Sequence, residues 1–199
     1  MNAETVCPSA VPFQKELQSF FAAPRALTGA EIQDIIARFA NSARIAEKAG
    51  FSGVQIHGAH GYLVSQFLSP RHNQRTDDWG GPIAHRLRFL LAVVDAVVGV
   101  VGAGRVGVRI APWGRSNDIR DSDPLALFGE VAHQLGTRQL AYLHVVEPRA
   151  DQRRDDGKLD DSKPDAAKTL RAAFGGRLIA AAPESENFTT SFHIKKNTP

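Results

Sequence analysis

Cysteine is nearly absent. Cys7 is the only one in 199 residues, and a single thiol excludes an internal disulfide framework. Its place in an expected loop near the start predicts a structural role rather than a reactive thiol. Long apolar runs are missing as well. The longest, 89–98, is interrupted by Asp95, far short of the roughly 20 residues of a membrane-spanning helix. The first nine residues carry no charged-then-apolar leader pattern. No membrane partner is therefore expected, and the expected location is the reducing cytoplasm. There the triplet Asn187-Phe188-Thr189 has no bearing on glycosylation. An excess of one charge sign is also lacking. Lys and Arg number 24 and Asp and Glu 21, for a net +3. The basic residues are interleaved with acids instead of clustered, which argues against a nucleic-acid partner. What remains is 43% hydrophobic and 23% charged, enough apolar material for one globular core.

Along the chain, helical and strand spacing alternate. Thr28-Gly29-Ala30-Glu31 reads as a capping box, in which hydroxyl and carboxylate satisfy two free helix-end amides. Apolar residues recur at Ile32, Ile35, Ile36, Phe39, Ala43 and Ala46, which is helical spacing. Gly50 stands where a C-terminal cap belongs, and a short strand is predicted at 53–57. The unit then repeats three times: helix 83–98 and strand 106–110, helix 124–135 and strand 141–146, helix 165–174 and strand 177–181. Strands joined through helices need crossovers, so the predicted fold is α/β with a parallel sheet. Either a doubly wound sheet or a (β/α) barrel satisfies this pattern. A complete eight-stranded barrel takes about 250 residues, so four units amount to half of one. The expected organisation is an irregular segment at 1–23, a folded domain at 24–182 and a disordered tail at 183–199. The stretch 151–163 alternates acids and bases and is expected to be a solvated loop.

The densest chemistry lies at the end of the first predicted strand, His57-Gly58-Ala59-His60-Gly61-Tyr62. Two neutral imidazoles can each offer an N–H to one oxygen, stabilising charge that develops there. A nearby phenol can deliver a proton. The bland alternative is a pair of satisfied loop histidines beside a packed tyrosine. A zinc site is disfavoured, because the pair lacks helical i, i+4 spacing and has no evident third ligand. Arg109 sits inside an otherwise apolar strand, where a guanidinium needs a partner. That partner is either a ligand or an internal carboxylate such as Glu147. His144, also within a strand, reads as a core or supporting residue. Gly102-Ala103-Gly104-Arg105-Val106-Gly107 matches a dinucleotide-binding pattern but follows a helix and opens a strand, the reverse of what the motif requires. It reads as a turn.

Gly53-Val54-Gln55-Ile56-His57-Gly58-Ala59-His60-Gly61-Tyr62-Leu63, with Gln66-Phe67-Leu68-Ser69-Pro70, Asn73-Gln74-Arg75-Thr76-Asp77, Gly80-Gly81 and Arg86-Leu87-Arg88-Phe89, closely resembles the Old Yellow Enzyme family. Val108-Arg109-Ile110-Ala111-Pro112 and the run from Leu140 to Arg149 extend the match, which covers about 24–179. The resemblance implies a partial (β/α)8 TIM barrel containing family strands four to seven, about four parallel strands with intervening helices. It implies an FMN-dependent oxidoreductase that takes hydride from NADH or NADPH and reduces activated C=C bonds of electrophilic alkenes. Under it, His57 and His60 bind the substrate's activating oxygen, and Tyr62 protonates substrate carbon. Arg109 and His57 lie on the flavin, Arg109 at its pyrimidine edge. No metal is implied. The sequence departs from the family at Ala84-His85, where Glu-Asn is usual, and after Ile179, where glycines near the phosphate would be expected. The chain thus reads as an interior fragment. Its alternative is a non-catalytic barrel remnant that binds no flavin. In either case, open half-barrel edges and an apolar inner face would favour self-association or partial collapse.

Overall fold

In a computed structural model that describes residues 4–13, 22–147 and 165–181, the N-terminal segment is not irregular throughout. Two-residue strands β1 (Val6–Cys7) and β2 (Arg25–Ala26) pair in parallel. Arg75 clamps the pair by donating to the carbonyls of Pro8 and Leu27 at 2.9 and 2.6 Å. Strands of two residues carry no periodicity, so pattern reading passes over them. The stretch 151–163 and the tail 183–199 lie outside the described residues.

Helix α1 (Gly29–Lys48) opens on the expected box: Glu31 N–H donates to Thr28 Oγ1 at 3.3 Å, and Thr28 N–H to Glu31 Oε2 at 2.8 Å. It buries Ile32, Ile36 and Ala43. Strand β3 (Val54–Gly58) and helix α2 (Leu63–Leu68) follow. The expected helix at 83–98 is parted into α3 (Ile83–Arg86) and α4 (Arg88–Val101) at Leu87. Leu87 keeps helical angles (φ −74°, ψ −24°), so the path is nearly continuous. The buried Arg86 side chain is drawn aside to the carbonyls of Leu68 and Gly81 and to Asp121 at 2.9 Å. Then come β4 (Val106–Ile110), α5 (Pro124–Gly136), β5 (Tyr142–Val146), α6 (Ala166–Phe174) and β6 (Leu178–Ala181). The Gly-x-Gly segment forms a single 3-10 turn, 103–105, leading into β4, as a turn reading requires.

The four long strands lie in the order β3-β4-β5-β6, every pair parallel. Alternation gives the sheet two unlike faces. Ile56, Val106, Val108, Ile110, Leu143, Val145 and Leu178 are buried under the helices, in one core with Phe67, Phe89, Leu90, Val93, Leu127, Leu135 and Leu170. Phe67 and Phe89 stack with centroids 4.1 Å apart. Each such side chain contributes about 1.5–3 kcal/mol by leaving water. The opposite face carries Gln55, His57, Gly107, Arg109, Tyr142, His144 and Ile179. This corrects the expectation of an apolar inner face: three of its four strands place a polar or charged side chain there, so it gives little apolar drive to association. Among the described residues no helix is long and apolar enough to cross a membrane.

Candidate active site

Register builds the site. Parallel pairing sets His57 beside Arg109, Arg109 beside His144, and His144 beside Ile179 in one row across the sheet. That row lies near the C-terminal strand ends, on the face away from the helices. His57 and Arg109 therefore share one end of the sheet, as four right-handed helix–strand units predict.

The turn after β3 folds His60 and Tyr62 back over His57. His60 and Gly61 both take left-handed backbone, φ 56° and 74°. At Gly61 a Cβ would come within 2.5 Å of Asn117 Cβ and 2.7 Å of the Ser116 carbonyl oxygen, so only glycine fits. The turn is pinned from outside. Asn117 donates to the His60 carbonyl at 2.8 Å and Gln66 to the Gly61 carbonyl at 2.9 Å. The His57 ring lies 5.6 Å from that of His60 and 5.3 Å from that of Tyr62, centroid to centroid. Tyr62 is 60% exposed, so its phenol is open to a ligand and is not packed away. Burial, with His60 and Arg109 nearby, pushes the His57 pKa below the ordinary imidazole value. His57 is therefore neutral at physiological pH and keeps one N–H to donate.

Arg109 takes no carboxylate among the described residues. Among the described residues it forms no ion pair, and its Nε is buried without a hydrogen-bond partner. Glu147 is occupied elsewhere, accepting from the amides of Ala166 and Ala167 at 2.7 and 2.9 Å at the start of α6. Its burial raises its pKa against those two amides. The neighbour Arg109 does have is His144, whose Nε2 lies 3.4 Å from Nη1. His144 Nδ1 lies 3.0 Å from Gln55 Oε1. Burial first, then the charge of Arg109, depresses the His144 pKa to about 4.

All four residues singled out as catalytic or cofactor-binding, His57, His60, Tyr62 and Arg109, thus come together at one sheet end. Gln55 was not foreseen as a site residue, though period two already put it on the face of His57. Asn117 had no local signal. A cavity of about 290 Å³ opens beyond β4, lined by Ala111, Trp113, Arg115, Arg120 and Ser122 among others. Cys7 is buried, donates to Gln66 at 3.4 Å, and has its thiol pKa pushed up to about 11; it is structural. Among the described residues no group of three or more His, Cys, Asp or Glu side chains could hold a metal ion.

A half-barrel with a polar face at the C-terminal strand ends is the architecture of a (β/α)8 barrel seen in part. By the match of its family model over residues 1–190, the chain belongs to the NADH:flavin oxidoreductase / NADH oxidase family, that of Old Yellow Enzyme. That span is wider than the 24–179 over which the motifs carry the resemblance. A putative 12-oxophytodienoate reductase 12 of Oryza sativa subsp. japonica is 40% identical over 185 residues, which is 90% of this chain and 46% of the relative. A probable flavin mononucleotide-dependent alkene reductase of Leishmania infantum is 47% identical over 123 residues, 62% of this chain and 34% of that protein. The solved structure of morphinone reductase superposes with a TM-score of 0.80 at 33% identity, covering 92% of this chain and 50% of that one. The Old Yellow Enzyme homologue of Zymomonas mobilis superposes with a TM-score of 0.82 at 31% identity, covering 92% and 52%. The chain spans about half the length of the curated relatives it matches, and its four parallel strands correspond to half of the barrel.

Proposed function

We propose that this chain carries the substrate-oxygen and proton-donor half of an FMN-dependent ene-reductase site, acting on activated C=C bonds with NADH or NADPH as the hydride source. The observation that carries this reading is the buried, unpartnered Nε of Arg109 in a row with His57. A guanidinium left without a carboxylate on an open sheet face fits a flat, acceptor-rich ring edge such as the flavin pyrimidine. Family membership and a relative named as a flavin mononucleotide-dependent alkene reductase support it, as does morphinone reductase solved with tetrahydroNAD.

FMN, when bound, would supply hydride to the electrophilic carbon. Arg109 and His57 would hold its ring edge. His57 and His60 would donate to the carbonyl or nitro oxygen of the alkene, where negative charge accumulates as the double bond is reduced. Each imidazole only donates an N–H to that oxygen, so neither needs to lose its proton. Tyr62, exposed and above His57, would give its phenolic proton to the carbon next to the activating group. These residues would hold one edge of the ring. A second reading, a barrel remnant that binds no flavin, draws on that one-sidedness.

The two readings part in one experiment. FMN is titrated into the isolated chain and into the chain complemented with the remaining strands from a relative, following flavin fluorescence and light scattering. Weak or undetectable binding is expected from the isolated chain. The complemented barrel is expected to bind FMN, turn yellow and reduce 2-cyclohexenone. A complemented barrel that stays colourless overturns the ene-reductase reading.

A further inference from the structure

Three strands place Gln55, His144 and Arg109 in a chain of contacts in which every atom has one possible role. Arg109 can only donate, because a guanidinium has no acceptor. His144 Nε2, 3.4 Å from Nη1, must therefore face it with its lone pair. A neutral imidazole with a bare Nε2 carries its hydrogen on Nδ1. That hydrogen points to Gln55 Oε1 at 3.0 Å, and the Gln55 amide must present its oxygen. We propose that His144 is a positioning residue for Arg109: held by Gln55 with its hydrogen on Nδ1, it steadies the guanidinium beside His57 without cancelling its charge.

The neutrality of the relay is its point. A carboxylate in the place of His144 would hold Arg109 more tightly, but would neutralise it and occupy its donors. An imidazole takes one donor and leaves the full positive charge on a guanidinium whose buried Nε has no partner. The groups that face His144 on this side are Arg109 on β4, Gln55 on β3 and His60 on the turn, with Ile179 of β6 as its register neighbour. None of these is an anion that would draw a proton onto the ring, and its pKa of about 4 agrees. The inference rests on the flavin reading for the purpose of the charge, but not for the geometry.

The test needs no cofactor. Long-range 1H–15N spectra of the uniformly labelled chain at neutral pH report which imidazole nitrogen carries hydrogen. His144 is expected to show a protonated Nδ1 and a bare Nε2, against the usual solution preference. Gln55→Leu is expected to move the hydrogen to Nε2 and to broaden the Arg109 side-chain Nε–H signal. Gln55→Glu is expected to make His144 titrate at or above the ordinary imidazole value of about 6.5. A bare Nδ1 in the unaltered chain overturns the proposal. So does a tautomer unmoved by Gln55→Leu, or titration that stays near pH 4 in Gln55→Glu. If either variant fails to fold, the spectrum of the unaltered chain still decides. An FMN titration of the same sample tests the flavin reading separately.

Discussion

The two faces of one four-stranded sheet were built by opposite rules. Under the helices, Val108, Ile110, Leu143 and Val145 are fully buried and hold the strands by apolar packing. One residue along in each strand, Arg109 and His144 bring a cation and a neutral ring to the opposite face. The first face determines that there is a sheet, and the second what the sheet can do. Because neighbouring residues in a strand point opposite ways, both programmes run through the same short segments. A one-residue slip of register would exchange them.

The sharpest way to break the comparison is to put the wrong chemistry on the helix side. Leu143→Asp leaves a carboxylate in the core, costing several kcal/mol, comparable with a whole domain's stability of about 5–15 kcal/mol. It is expected to abolish the cooperative urea transition seen by circular dichroism; a native-like transition would refute the division of roles. On the open side, Tyr62→Phe in a complemented barrel is expected to slow alkene reduction by roughly 10²–10⁴-fold. Flavin reduction by NAD(P)H and the urea midpoint should barely move. Equal losses in both half-reactions by stopped flow would remove the phenol from its proposed role.

A smaller effect is expected from pH. His144 has a folded-state pKa of about 4 against an unfolded value of about 6.5. The unfolded chain binds the proton first, so this residue's share of stability is complete above pH 6.5. It is lost as pH falls to 4, on the order of 3 kcal/mol in all. His144→Phe should flatten that part of the stability–pH curve, and an unchanged slope would mean that the ring is not held neutral. The smallest effect should come from Thr28→Ala, which removes only the exposed hydroxyl bonds to Glu31 at the start of α1. About 1 kcal/mol of stability is expected to go, read from the same urea curves, with no change at the site.

The helix–strand units were readable because their periods are long and clean: every long strand lies within one residue of its expected span. The β1–β2 pair was not, because two residues cannot show a period. The bonds of Arg86 to Leu68 and Asp121 carry no sequence signal either, because both partners lie in other segments. At the site, His57, His60, Tyr62 and Arg109 stood out by residue type. The relay through Gln55 did not. Its atoms meet only once β5 pairs with β4 in one particular register, and 89 residues separate Gln55 from His144. The polar row on the inner face is hidden from the sequence for a related reason. Arg109 and His144 each look like an exception within an apolar strand, and only pairing shows that the exceptions form a row.

The sequential order of the sheet has a consequence for how the chain is made. Each of β4, β5 and β6 pairs with the long strand before it, so none has to wait for a segment still to be synthesised. Val106 meets Val54, Tyr142 meets Gly107, and Leu178 meets Leu143, each closing one modest loop whose entropic cost hardly grows along the chain. Assembly can therefore keep pace with the ribosome, whose output of roughly 5–20 residues per second leaves each unit seconds to dock. The row that gathers His57, Arg109 and His144 is completed by the arrival of β5, before β6 has been translated.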